Sequence, residues 1–503
     1  MKLTLISPVF NRNFGLTTQK IFAFPPLNLP IVASLTPPNV DVELVDENVE
    51  HWDYDKKMAD LVGITAMTAQ APRAYEIAAE MRKRGAKVVL GGIHPTTLPE
   101  EAALHADAVV VGEAEALWPQ VFEDFSKNRL QKIYSHTTRP SLKNLPIPRR
   151  ELFDRKGYLF ENTIQMFRGC KFSCSFCSVW RFFGHSYRMR PLDEVITEIE
   201  LLKSRSRGVC LLGFLDDNIV GEEQYSAELF RRLVPLKVLW VGQATLDVVD
   251  MPGMLPLMQK SGCRALFIGL ESSNPSALKE ARKKWLRPDE FQTKVKMLHD
   301  HGIMVEGAFI VGFDSDEETV FEETVEFADR IGVDAAQFSI LTPFPGTDHY
   351  MRLEREGRIF DHDWSRYGVD EVVFQPKRMS PEKLQEGYHW AWREFYSRRK
   401  IAKRVLRAYK NWKSMIPLLI FQTQYRTLMR HREAIRKQLS APIIAPVSGV
   451  APEAGVWASA SSAEGRGRMP QRDASAESTG TPLRRPCFSP VSSPRRRSPS
   501  SEP

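Results

Sequence analysis

Apolar residues in the first 134 positions fall into short runs, at 2–6, 40–45, 61–65, 87–90 and 108–111, rich in Val, Leu and Ile. Runs of that length and branching read as buried strands. Between them, 71–84 sets Tyr75, Ala78, Ala79 and Met81 at helical spacing. Strands alternating with helices predict a parallel sheet covered on both faces, an α/β domain. Such a sheet takes ligands at the carboxyl ends of its strands. Those ends carry Asp46-Glu47-Asn48, Thr65-Ala-Met-Thr68, Gly91-Gly92-Ile-His94-Pro-Thr96 and Gly112-Glu113-Ala-Glu115. Glycines there let a ligand approach the backbone.

The alternation lapses over 135–160, a stretch rich in Pro, Arg, Ser and Thr that reads as a linker. It resumes near Thr163, with further strands expected at 209–214, 239–243, 265–268, 304–311 and 336–340. Repeated βα units over 161–350 predict a full or partial βα barrel, whose chemistry sits on the loops after its strands. Residues 351–440 turn helical, aromatic and basic. From 441 to 503 the chain is Ser, Pro, Ala, Gly and Arg, and is expected to stay disordered.

A chain of 503 residues suits two such domains plus appendages. No apolar run is long enough to span a bilayer, and the apolar start is too short for a secretory signal. A cytoplasmic protein with reduced thiols is expected. The net charge is +7, and residues 387–440 hold about fourteen Lys and Arg against about two acids. The rest of the chain is therefore slightly acidic, which argues against a nucleic-acid groove across the main domains.

Cysteine placement is the sharpest signal. None of the six precedes position 170, and then Cys170, Cys174 and Cys177 fall within Phe167-Arg-Gly-Cys-Lys-Phe-Ser-Cys-Ser-Phe-Cys-Ser-Val-Trp180. Three thiolates on one loop can each ligate an iron of a cube and leave the fourth iron open. A structural zinc site would want a fourth ligand and a second knuckle, and Cys210, Cys263 and Cys487 stand alone.

This loop resembles the C-x3-C-x2-C signature of the radical S-adenosylmethionine (SAM) superfamily, with Phe176 at its aromatic position. The resemblance implies a [4Fe-4S] cluster on the three cysteines, whose open iron chelates SAM. SAM is then cleaved to a 5′-deoxyadenosyl radical, with an external flavodoxin- or ferredoxin-type reductant. Later segments carry it further. Phe214-Leu-Asp216-Asp217-Asn218 resembles the F-x-D-D-N of cobalamin-linked members, and Trp240-Val-Gly-Gln243 fits the next strand. Phe267-Ile-Gly-Leu-Glu271-Ser resembles the strand whose glutamate lies near SAM, and Phe309-Ile-Val-Gly312-Phe the strand along the adenine.

Residues 1–134 resemble the cobalamin-binding Rossmann-like domain that precedes many of these barrels, through Asp46-Glu47, Gly63-Ile-Thr65, Gly91-Gly92-Ile-His94 and Val111-Gly112-Glu113. The D-x-H-x-x-G motif is absent, which implies cobalamin without a histidine on cobalt; His94 is expected to line the cofactor or to be a hydrogen-bonded loop residue. Methylthiotransferases of similar layout carry three more cysteines in the first domain, and this chain has none there. The resemblance thus implies a cobalamin-dependent methyltransferase acting on an unactivated carbon. A cobalamin-dependent cyclase or rearrangement enzyme is the alternative, and a non-catalytic sensor a further one. The substrate is expected to be a small molecule or a lipid. For a lipid, Trp390, Trp392, Phe395 and Tyr396 with the cations of 387–440 would suit a helix at an anionic membrane surface; basic helices capping the barrel are the other reading.

Overall fold

The computed structural model describes residues 1–10, 24–50, 59–136, 138–153, 158, 161–206, 208–408, 422–423 and 425–427. The first sheet contains β1 (Lys2–Ser7), β2 (Asp41–Asp46), β3 (Leu61–Thr65), β4 (Lys87–Gly91), β5 (Ala108–Val111) and β6 (Ile133–Ser135). Its order is β2-β1-β3-β4-β5-β6, and every pairing is parallel. Alternate side chains feed two separate cores. Leu3, Leu5 and Val89 pack on one face, and Ile6, Val62 and Leu90 on the other. Burial on both faces is why these strands read as unbroken apolar runs.

The second sheet is also wholly parallel. It comprises β7 (Asn162–Ile164), β10 (Leu211–Phe214), β11 (Leu239–Ala244), β12 (Cys263–Glu271), β13 (Met304–Val311) and β14 (Ala335–Ile340), ordered β7-β10-β11-β12-β13-β14. Among the described residues no pairing joins β14 to β7, so this is a partial barrel. A two-stranded antiparallel hairpin, β8 (Phe167–Arg168) with β9 (Arg188–Met189), follows β7 and frames the cysteine loop.

The stretch expected to be a linker is bound into the fold. β6 extends the first sheet, and Arg150 donates to the Thr163 carbonyl at 2.7 Å while pairing with Glu198. Tyr158 donates to Asp46 at 2.8 Å. Polar composition concealed these contacts, because most of them are hydrogen bonds rather than apolar packing.

The helix Pro381–Phe395 closes the β14 side. Trp392 donates to the Phe338 carbonyl at 3.2 Å, and Tyr396 donates to that of Ala336 at 2.8 Å. Trp392, Phe395 and Tyr396 are buried. Arg404 is buried over the Phe395 ring and paired with Asp329, as is Lys400. Trp392, Phe395 and Tyr396 are therefore taken up by the sheet, as the capping reading expects, and are not available to a membrane surface. Trp390 remains partly exposed, while 409–421 and 428–503, with the apolar run after Met415, lie outside the described residues. No helix among the described residues is long and apolar enough to cross a membrane.

Candidate active site

The cysteine loop leaves β8 through Gly169, whose φ is +98°. A Cβ there would lie 2.1 Å from the Ser186 carbonyl oxygen, so only glycine lets the loop pass β9. The Cys170 amide donates to the Gly184 carbonyl at 3.1 Å, closing the loop's ends. Within it, the Cys177 amide and the Trp180 indole both donate to the Cys174 carbonyl, at 3.2 and 3.1 Å. Backbone bonds thus shape the loop, and the Cys170 thiol lies 3.7 Å from the Tyr187 hydroxyl. Cys174 is buried, and Cys170 and Cys177 are partly so. Burial raises the Cys174 thiol above its ordinary range and pushes Cys177 up to about 12. Such thiols become thiolates when a metal takes the proton's place. Phe176 packs against the barrel core. Cys210 and Cys263 are buried in that core, away from the loop.

Sequence reasoning missed Lys283. Its ammonium donates to Glu271 at 2.5 Å, and its charge opposes the burial effect on Cys174. Glu271 sits where the β12–β13 register shifts and has φ +62°, a strained conformation that aims its carboxylate at this lysine. A partly buried cation beside the Cys174 and Cys177 sulfurs can hold a carboxylate or a negative cluster. The only hint of it in the sequence was one lysine within a run of cations.

The two aspartates after β10 divide. Asp216 is fully buried and accepts from the Met166 and Phe167 amides at 2.8 and 2.5 Å, and burial raises its carboxyl to about 7. Its Oδ1 pins the start of the hairpin to β10, while Oδ2 is buried without a hydrogen-bond partner among the described residues. Asp217 instead lines the large cavity, with its carboxyl raised to about 6 by burial. Gln243 accepts from Ile219 through its backbone carbonyl and does not line that cavity. Gly312, at φ +104°, makes the turn after β13, with its amide on Asp316.

The cavity, about 780 Å³, opens at the carboxyl ends of the first sheet. Thr65, Gly91, Gly92, Gly112 and Glu113 form one wall; Gln165, Arg168, Phe182, Phe183 and Asp217 form the other. It therefore lies between the first sheet and the flanks of the cysteine loop. Gly92, at φ +99°, would place a Cβ 2.8 Å from the Ala66 amide and carbonyl, whereas Gly112, at φ +88°, faces open space. Thr65 accepts from Asn28 at 2.8 Å. His94 is corrected to the second of its expected roles. Its ring is buried away from the cavity, with Nε2 3.0 Å from the Tyr75 hydroxyl and 3.3 Å from Glu101, which also accepts from Trp364.

An ion network crosses the cavity wall. Arg168 donates to Glu113 at 2.6 Å and to Glu115 at 2.5 Å, and Arg188 donates to the other Glu113 oxygen at 2.5 Å. Both arginines belong to the hairpin around the cysteine loop, and both glutamates to the loop after β5. Charges so buried are held by mutual pairing and by bidentate geometry.

These features fit three groups. Among the described residues no three His, Cys, Asp or Glu side chains converge on one metal ion. Three thiols spread along one loop suit instead the separate corners of an iron–sulfur cube, Lys283 an anionic ligand beside it, and the glycine-rimmed cavity a large planar cofactor. Together they suit an iron–sulfur protein with two further ligands, one anionic and one large and planar. Comparison with known proteins agrees: residues 164–328 match the radical SAM superfamily, 22–122 the B12 binding domain, and 347–436 a domain of unknown function, DUF4070. Over 393 residues, 77% of this chain, it is 33% identical to bacteriochlorophyllide d C-12(1)-methyltransferase of Chlorobaculum tepidum, covering 86% of that protein. It is 27% identical to the anaerobic magnesium-protoporphyrin IX monomethyl ester cyclase of Cereibacter sphaeroides, over 71% of this chain and 64% of that one. The fold matches the radical SAM methyltransferase TsrM of Kitasatospora setae, solved with cobalamin and a [4Fe-4S] cluster, with TM-score 0.58 and 16% identity over 78% of this chain and 88% of that one. The chain belongs to the radical SAM superfamily, among members with a B12-binding domain. Its cofactors are a [4Fe-4S] cluster, SAM and cobalamin.

Proposed function

We propose that this protein methylates an unactivated carbon of a small-molecule or lipid substrate, with Cys170, Cys174 and Cys177 as the cluster ligands and cobalamin in the 780 Å³ cavity. When bound, the groups supply an electron, a 5′-deoxyadenosyl radical from SAM and a methyl carrier. The observation that carries the reading is the single cavity whose walls are the glycine-rich strand ends and the flanks of the cysteine loop. Methyl transfer to a carbon needs the carrier and the radical source to reach one substrate, and a shared cavity lets them.

The chain's own groups have separable tasks. Lys283, held by Glu271, offers the counter-charge for the carboxylate of SAM beside the cluster. The Arg168–Glu113–Arg188 network ties the cysteine hairpin to the cobalamin side and fixes their spacing. Phe182, Phe183, Leu215 and Phe24 give the cavity apolar walls that exclude water from a radical. An external one-electron carrier supplies the reducing electron.

The 33% identity to a methyltransferase, against 27% to the cyclase, favours methylation. The test is incubation of the anaerobically reconstituted protein with host extract and methyl-labelled SAM. Label in a carbon-bound methyl of a product supports methylation; a product altered without label supports the cyclase reading.

A further inference from the structure

A second groove, about 360 Å³, shares no lining residue with the first cavity. Lys171 and Phe172 of the cysteine loop form one side, and Trp285 and Arg287 the other. The rings of Phe172 and Trp285 stack with centroids 4.3 Å apart, and the Lys171 ammonium lies 5.4 Å from the Phe172 ring. Trp285 stays 38% exposed. The segment around it reads Lys279-Glu-Ala-Arg-Lys-Lys-Trp-Leu-Arg287, five cations to one acid. Arg352 answers the acid, Glu280; Asp348 holds Arg282, and Glu271 holds Lys283. Among the described residues, the exposed Lys171, Lys279 and Lys284 have no ion-pair partner. Of the acids at the groove, Asp250 is bound to Lys294, and Glu290 to Lys294 and, at 3.9 Å, to Arg287. The half-buried Asp247 lines the groove without an ion-pair partner among the described residues, and the three lysines outnumber it.

This patch is fixed to the cysteine loop. The Ser175 amide and hydroxyl bond to the Ala281 and Glu280 carbonyls at 3.2 and 3.0 Å. Lys171 and Phe172 directly follow Cys170 in sequence. The Phe172 contact leaves 38% of Trp285 exposed, amid three lysines without ion-pair partners among the described residues. The patch has the make-up of an interface anchor with a charged rim. Its charge selects an acidic partner, and its position, beside the cluster and away from the substrate cavity, selects an electron donor.

We infer that the groove docks an acidic one-electron carrier protein, on Trp285 with Lys284, Arg287 and Lys171 around it. This rests on the reading of the three cysteines as cluster ligands. One electron leaves the carrier's reduced flavin or iron–sulfur centre, oxidising it by one electron, and enters the enzyme through the loop; no bond is made or broken. Charge complementarity makes such transient complexes fast-forming and salt-sensitive.

The test uses the full chain, reconstituted anaerobically, with a net-negative bacterial flavodoxin in its reduced form. Stopped-flow absorbance follows cluster reduction by the flavodoxin and, separately, by dithionite, and calorimetry follows flavodoxin binding. The flavodoxin rate of the unaltered protein should fall on raising salt from about 20 to about 200 mM. Lys284→Glu/Arg287→Glu should slow that rate and weaken binding by about tenfold or more, leaving the dithionite rate unchanged. Trp285→Ala should do the same with less salt dependence. An unchanged flavodoxin rate in both variants would overturn the inference. So would an equal loss with dithionite, or loss of RNA-oligonucleotide binding with flavodoxin binding intact. An unaltered protein that takes up no iron would instead count against the cluster reading itself.

Discussion

Arg168 and Glu113 meet at 2.6 Å across the wall of the large cavity, joining the hairpin of the cysteine loop to the first sheet. Glu113 takes two arginines at once, since Arg188 binds its second oxygen. Glu113→Ala leaves the buried Arg168 and the half-buried Arg188 without their shared acceptor. Breaking a buried pair in this way costs about 3 kcal/mol, so urea unfolding should show a loss of that size. Cobalamin uptake, read by its visible absorption, should fall as well. A stability loss under about 0.5 kcal/mol, the range of an ordinary surface substitution, would remove the network from the account.

Gly92 and Gly112 both hold positive φ, yet only one has a crowded Cβ position. Gly92→Ala should destabilise by about 2 kcal/mol or more, because left-handed strain adds to contact with the Ala66 backbone. Gly112→Ala carries the strain alone and should cost about 1 kcal/mol in stability. It should nevertheless weaken cobalamin binding, since the new methyl enters the cavity. Chemical unfolding with and without cobalamin separates the two effects.

His94 lies outside the cavity, so the cob(II)alamin form should show no nitrogen superhyperfine splitting from an axial protein base in electron paramagnetic resonance. His94→Gln should leave that spectrum unchanged. Nitrogen splitting that vanishes in the variant would place the imidazole on cobalt.

His349 is buried beside Arg352, and burial first, then that cation, lower its imidazole to about 4. The unfolded chain therefore binds more protons than the folded one between about 4 and 6.5. Stability from this group is present above 6.5 and is lost as pH falls toward 4. At pH 5 the loss relative to pH 7 should be about 2 kcal/mol. His349→Gln removes this part of the slope while leaving that of Asp314, whose carboxyl Arg358, Lys377 and Arg352 hold well below its usual range. Urea unfolding of both proteins at the two pH values gives the difference; parallel slopes would contradict it.

What the sequence made legible followed from periodicity and spacing. The strands at 61–65, 108–111 and 304–311 coincide with β3, β5 and β13 because buried parallel strands are apolar throughout. The cysteine triplet was visible because its ligands lie on one loop. The β8–β9 hairpin was not, since two strands of two residues carry no period. Nor were the pairing of Arg168 with Glu113 or of Lys283 with Glu271, because charges 55 and 12 residues apart meet only through the fold. His94 misled for the opposite reason: its glycine-rich neighbours line the cavity while its own ring turns away from it.

The central claim is that the loop bearing Cys170, Cys174 and Cys177 holds the cluster that cleaves SAM. The most direct measurement is 5′-deoxyadenosine formed from SAM with dithionite by anaerobically reconstituted protein, alongside its iron content. The unaltered chain, Cys210→Ala and Cys263→Ala should each bind about four irons and release 5′-deoxyadenosine. Cys170→Ala, Cys174→Ala and Cys177→Ala should each release none. Undiminished 5′-deoxyadenosine from the Cys174→Ala protein would contradict the account.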